Sequence, residues 1–184
     1  MTFTLVTPPA DSVVSLGEAK RHLRVDHDDD DDVIQLYIGA VVSHLDGPSG
    51  WLRRALAPQE WAETFPALTL VQPLGLAPVM GVTGVTYRNP DGVTVVVDPG
   101  DYSVIGGTIV YREGFQAPDV ATAPDPVTIT YESGYDEVPG AIRSAVLLMV
   151  ADLYANREAK VASSQVANPS ARMLLDPYRR GWAS

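Results

Sequence analysis

The residues with the densest potential chemistry are Asp26-His27-Asp28-Asp29-Asp30-Asp31-Asp32. Clustered carboxylates are hard oxygen ligands and can hold Ca²⁺. Their spacing lacks the glycine at the sixth position and the glutamate at the twelfth that an EF-hand loop needs. Aspartates ahead of a helix also cap its free N–H groups and oppose the positive end of its dipole. That second role is the expectation here, with no metal site assigned. The three histidines, His22, His27 and His44, lie too close to helix surfaces to form an evident cluster. No His-Glu-x-x-His pair points to zinc, no Gly-x-x-x-x-Gly-Lys loop cradles a phosphate, and no Gly-x-Ser-x-Gly elbow presents a nucleophile. Ser133, in Ser133-Gly134-Tyr135, is a turn serine with no base assigned to it. Arg88 and Arg112 read as solvated strand residues. With no cysteine, neither disulfides nor thiolate chemistry is available. No catalytic residue and no cofactor are expected.

The elements that carry these residues follow from periodicity. Ser15-Leu16-Gly17-Glu18 is a capping box, and Leu16, Ala19 and Leu23 share a face of the short helix it opens, which should end near Asp26. A second helix should begin between Asp30 and Asp32, with Val33, Tyr37, Val41 and Leu45 on one side, joined by Ile34 and Ile38. Gly47-Pro48-Ser49-Gly50 stops it, and residues 52–56 could add one more turn. Residues 138–158 predict a long helix with Pro139 in its first turn. It is apolar on two sides. Ile142, Ala145, Val146, Met149 and Leu153 form one stripe, and Ala141, Leu148, Ala151 and Ala155 form another. A surface helix has one wet face, so this one needs a large core or a second subunit. Arg143 and Asp152 interrupt its apolar run, which is short for a bilayer span.

Between Gln59 and Ser133 the period changes to two. Residues 82–88 and 93–97 flank Asn89-Pro90-Asp91-Gly92, a hairpin with a type I turn. Asp98-Pro99-Gly100-Asp101 reads as a type II turn, and Gly106-Gly107 leads into a strand at 108–112. Val127, Ile129 and Tyr131 alternate with Thr128, Thr130 and Glu132, as in a half-buried strand. Residues 113–126 read as loop. The expected class is α+β: a small helical core of two N-terminal helices plus one long C-terminal helix, a β-rich insertion, and an extended or short-helical tail. The expected division is 1–57 for the N-terminal helical part, 58–135 for the insertion, 136–160 for the long helix and 161–184 for the tail.

Charge separates these segments. The chain carries 13 lysines and arginines against 23 acids, a net charge of −10, which disfavours an adhesive nucleic-acid surface. Residues 138–184 alone are net positive, with Arg172, Arg179 and Arg180 beside Tyr178 and Trp182. A basic, aromatic end on an acidic chain suits docking; a frayed, soluble terminus is the alternative. The N-terminal residues MTFTLVTPPADS do not read as a secretion signal.

Four blocks together resemble the head–tail connector, or adaptor, proteins of long-tailed bacteriophages and gene transfer agents. They are residues 16–26 followed by the acids, residues 78–92, residues 127–139 with Tyr154-Ala155-Asn156-Arg157-Glu158, and Leu174-Leu175-Asp176-Pro177-Tyr178-Arg179-Arg180. The long aspartate run and Gly47-Pro48-Ser49-Gly50 depart from that pattern. The resemblance implies a structural virion protein, made in the bacterial cytoplasm. It implies a dodecameric ring of the chain under the portal protein, a tail-side stopper or tail-terminator partner, and genome DNA passing through without specific binding. It implies a portal contact in the C-terminal segment, at Leu174, Leu175, Tyr178, Arg179, Arg180 and Trp182. The second apolar stripe, at Leu148, Ala151 and Ala155, is then the expected contact between subunits. Two other readings stand beside this one. One is an acidic, host-directed inhibitor that imitates nucleic acid. The other is a metal-dependent module using Asp28 to Asp32.

Overall fold

The alternation at residues 127–133 becomes the central strand of a five-stranded antiparallel sheet. A computed structural model describes residues 2–156 and 168–181. It divides the chain into two units: residues 1–10 with 57–136, and residues 11–56 with 137–184. The strands of the first unit are, in chain order, β1 (Phe3–Thr7), β2 (Gln59–Phe65), β3 (Val71–Pro73), β4 (Val79–Arg88), β5 (Thr94–Val96), β6 (Tyr102–Ile105), β7 (Thr108–Tyr111) and β8 (Val127–Ser133). One sheet has the order β1-β2-β8-β4-β5 and a smaller one the order β3-β7-β6. Strand β8 lies between β2 and β4, pairing Tyr131 with Trp61 on one side and with Val82 on the other. Val127, Ile129, Tyr131 and Ser133 point into the core, as their period of two requires. Strand β1 was not apparent in the sequence reading, which placed residues 1–10 in the N-terminal helical part. Residues 3–7 of that stretch instead pair with β2 as an edge strand.

The turns follow their sequences with one exception. The Gly92 N–H donates to the Asn89 carbonyl at 2.9 Å and closes the β4–β5 hairpin. Gly106 and Gly107 both take positive φ, 57° and 78°. That is the two-residue turn whose twist matches a hairpin. Residues 98–101 do not form the expected type II turn, which would need positive φ at Gly100. They form a 3₁₀ turn, Pro99–Asp101, in which the Asp98 carboxylate accepts from the Gly100 N–H at 2.8 Å.

Among the described residues of this unit one charged side chain is fully buried. Glu63, on β2, accepts a hydrogen bond from the Tyr131 hydroxyl at 2.8 Å and from the Gly75 N–H at 2.8 Å. The same hydroxyl accepts from the Leu76 N–H at 3.2 Å. The carboxylate and phenol thus satisfy the backbone of a connection that would otherwise bury unpaired donors. A Cβ on Gly75 would lie 2.5 Å from the Phe3 ring and 2.7 Å from Glu63 Oε1, so a larger residue there would push these side chains aside.

Among its described residues the second unit holds four α-helices: α1 (Leu16–Leu23), α2 (Asp31–Leu45), α3 (Gly140–Ala155) and α4 (Pro169–Leu175). The capping box forms. Ser15 Oγ accepts from the Glu18 N–H, and Glu18 Oε2 accepts from the Ser15 N–H at 2.9 Å. Helix α1 stops at Leu23 because Arg24 turns left-handed, with φ 58°, short of the expected end near Asp26. Helix α2 buries Ile34, Ile38, Val41 and Leu45, so the Ile34/Ile38 stripe faces the core and Val33 and Tyr37 flank it. The expected extra helical turn at 52–56 is absent. That segment runs irregularly, bridging Asp46 to Arg54 and burying Leu52, Ala55 and Leu56. Pro139 is the residue before α3 rather than in its first turn. Arg143 of α3 reaches back to pair with Glu18.

Two outcomes follow. Tyr131→Phe removes a buried hydroxyl that both donates and accepts, and should lower stability in urea unfolding by about 1–3 kcal/mol; an unchanged midpoint would show that the network contributes nothing. Glu18 is held below its ordinary value of 4.5, first by the Ser15 N–H, with partial burial opposing, then by the Ser15 hydroxyl and Arg143. A depressed carboxylate stabilises the fold above its unfolded pKa, and the effect fades as pH falls below about 4.5. Glu18→Gln should therefore flatten the acid limb of a Tm-against-pH curve and leave its shape near neutrality unchanged.

Candidate functional site

Helix α3 sets the problem that the helical unit must solve. It has apolar residues around most of its circumference, and it packs against α1, α2 and α4. Ile142, Ala145, Val146 and Val150 are buried. The expected first stripe is therefore shifted at its end: Met149 is half-buried, Leu153 is exposed, and Val150 takes the inward place. On a helix this uniformly apolar, the neighbours decide which residues turn inward. Of the proposed inter-subunit residues, Leu148 and Ala151 are half-buried and Ala155 is exposed.

The C-terminal segment supplies part of the cover. Asn168 caps α4, its side-chain oxygen accepting from the Ser170 and Ala171 N–H groups. Its amide also donates to Asp152 of α3 at 2.8 Å. Ala171 and Leu175 are buried. Between α2, α3 and α4 remains an open groove of about 600 Å³, lined by Val41, His44, Trp51, Met149, Leu153 and Arg172 among others. A 3₁₀ turn, Asp176–Tyr178, then carries the chain to the loop after α2. There the Arg54 Nε donates to the Tyr178 carbonyl at 2.5 Å, and the Arg180 N–H donates to the Leu52 carbonyl at 3.1 Å. The Arg179 guanidinium lies 4.7 Å from the centre of the Trp51 ring, a cation–π contact.

The residues assigned to portal contact thus divide. Leu175 faces the subunit's own core and holds the segment down. Leu174, Tyr178 and Arg180 are half-buried, and Arg179 is exposed. Trp182 lies outside the described residues. The sequence reading expected an extended or short-helical tail; it is short-helical in α4 and the turn that follows, and through Gly181 the segment is folded onto its own unit. It also missed Trp51, Arg53 and Arg54, which share that surface. The signal for them was an aromatic and two arginines directly after the helix-stopping Gly47-Pro48-Ser49-Gly50.

The aspartate run is organised by side chains other than its own. Lys20 Nζ lies 2.6 Å from both Asp28 and Asp31. These contacts raise the Lys20 pKa, Asp28 first and then Asp31, and the same lysine lowers that of Asp28. Asp30 precedes α2 but makes no side-chain cap hydrogen bond; it accepts from the Tyr154 hydroxyl of α3. Side-chain capping is therefore not the role of Asp30, although Asp31 and Asp32 stand in the first turn where the helix dipole favours them. Among the described residues no group of three or more acidic or histidine side chains is arranged to hold a metal ion.

Comparison with known proteins locates this architecture. Residues 13–64 match the model of the phage gp6-like head-tail connector protein family. That stretch comprises α1, α2, the loop carrying Trp51 and most of β2. Over its whole length the chain has the fold of proteins in gene transfer agent (GTA) particles. A chain of the native GTA virion superposes with a TM-score of 0.78 at 21% identity, covering 100% of this chain and 99% of that one. A chain of the empty-particle neck, with C6 symmetry, gives 0.77 at 21% over the same shares. One from the native-particle neck, with C12 symmetry, gives 0.71 at 20%, again over 100% and 99%. No curated protein matches the chain. The resemblance to head–tail connectors read from four sequence blocks holds, in its first block by the family match and along the chain by fold.

The buried and unburied sides of α3 are separable by mutation. Val150→Asp places a charge in the core and should cost about 3 kcal/mol or more, enough to unfold the subunit or nearly so. Ala155→Asp, at an exposed position, should leave the Tm of the isolated chain nearly unchanged. Equal losses in a thermal melt would mean that α3 is simply buried throughout.

Proposed function

We propose that this chain is the adaptor subunit of a particle neck. In this reading it forms a ring beneath the portal protein, links the capsid vertex to a tail-side stopper or tail-terminator protein, and leaves a central channel for the genome. The observation that carries the reading is the full-length likeness to neck chains, which spans both units and not only the segment matched by the family model. The C6 and C12 symmetries of those necks favour a ring of many copies, with a dodecamer as the specific expectation. The role is structural, and the protein's place is the virion.

Physical chemistry agrees with this reading. A ring uses two different surfaces of one chain, each meeting the other on a neighbour. The half-buried Leu148 and Ala151 and the exposed Ala155 give α3 apolar area for such a neighbour. A net charge of −10 lets duplex DNA pass without adhesion, because phosphate binding depends on cationic contacts. The C-terminal segment, with Leu174, Tyr178, Arg180 and Trp182 as contact residues and Leu175 as its anchor, is the portal-facing element.

The purified chain should be retained by its cognate portal in a pull-down and should not retard duplex DNA in a gel at physiological salt. Ala155→Asp should keep the fold and weaken ring formation on the portal. A wild-type chain that never binds the portal would overturn the reading, and tight binding to a DNA-processing enzyme instead would favour the nucleic-acid mimic.

A further inference from the structure

Helix α2 separates two surfaces of opposite charge. Its fifteen residues span about 22 Å. At its N-terminal end Asp28 and Asp29 have side chains 90% and 95% exposed, and Asp32 is exposed as well. At its C-terminal end the loop after α2 brings Arg53 and Arg54 beside Arg179 and Arg180 of the returning C-terminal segment. Trp51 and Tyr178 lie among these arginines, fixed by the contacts already described. Four arginines concentrated at one end is notable in a chain this acidic. The patch is also built from two distant stretches of sequence, so it exists only when the C-terminal segment is docked.

A stacked arginine held over an aromatic ring is pre-organised, and it keeps donors for planar carboxylates. A surface of this kind takes an acidic protein segment. We infer that Arg53 and Arg179 of this patch receive the exposed Asp29 and Asp32 of a second copy of this chain, forming a head-to-tail contact, while Leu174, Tyr178 and Arg180 are left to the portal. This rests on the ring reading and specifies its chemistry. Two observations favour this occupant. The run and the patch belong to the same helical unit at opposite ends of one helix, which is the arrangement a heterologous interface repeats from copy to copy. The run is also the densest line of carboxylates in the chain, with five in succession, and Asp29 and Asp32 are exposed outside the contacts that Lys20 makes with Asp28 and Asp31 and Tyr154 makes with Asp30. The acidic β unit of a neighbour is the competing occupant.

The test is a charge swap in the full-length chain, read as rings formed on the cognate portal by electron microscopy and native mass spectrometry. One variant carries Arg53→Glu and Arg179→Glu. The other carries Asp29→Arg and Asp32→Arg. Each alone should lose ring occupancy by roughly tenfold or more, because like charges then face each other. Mixed in equal amounts, they should restore rings in which the two variants alternate. Rings from either variant alone, at wild-type yield, would overturn the inference while leaving the ring reading intact. Loss in both variants without recovery on mixing would also overturn it, and would point to the β unit or the portal as the partner of the arginines. Failure of the wild-type chain to form rings would overturn the ring reading itself.

Discussion

A helix with little wet surface has to be covered, and the helical unit is arranged around that constraint. Helix α3 cannot face water along Ile142, Ala145, Val146 and Val150 without losing the burial that stabilises it. Helices α1, α2 and α4 supply the cover. Each is tied to α3 by a polar contact at its margin: Glu18 to Arg143, Asp30 to Tyr154, and Asn168 to Asp152. These contacts set the register of the packing; apolar burial supplies most of the stabilisation, since half-exposed ion pairs contribute little.

The same constraint explains why the C-terminal segment is folded back. Leu175 and Ala171 close one side of α3, and this brings Tyr178, Arg179 and Arg180 to the loop that follows α2. A surface rich in arginine and aromatic rings is thereby assembled from two ends of the sequence. Its existence depends on the packing of α4, so folding and partner recognition are linked in this unit. The β unit solves a different problem. There Glu63 and Tyr131 accept from the backbone N–H groups of Gly75 and Leu76, so the connection between β3 and β4 can lay Leu74 and Leu76 into the core with those donors paired.

Much of this was legible in the sequence, for identifiable reasons. The capping box at Ser15 and Glu18, the alternation from Val127 to Ser133, and the paired glycines at 106–107 are local signals, and each formed as read. The misreadings come from places where tertiary contacts outweigh local ones. Strand β1 has little pattern of its own and exists through pairing with β2. Gly100 takes no left-handed conformation because the Asp98 carboxylate stabilises a 3₁₀ turn instead. Met149 and Val150 exchange roles because α3 has too little amphipathicity to fix its own rotation. Asp30 meets Tyr154, 124 residues away in sequence, a partner that no local pattern announces. The arginine patch was half visible, as a basic C-terminus; its other half, Trp51 to Arg54, required knowing where that terminus lands.

The account joins a covered helix, a docked C-terminal segment and a two-surfaced subunit in one claim: the chain is a repeated component of a particle neck. The most direct test is cryo-electron microscopy of particles from a producing cell, with and without the gene for this chain, focused on the portal vertex. The account predicts a closed ring of this fold directly beneath the portal in the intact particles, and its loss, together with the tail, when the chain is absent. Complete, tailed particles lacking that density, or an unchanged neck in the deletion, would contradict it.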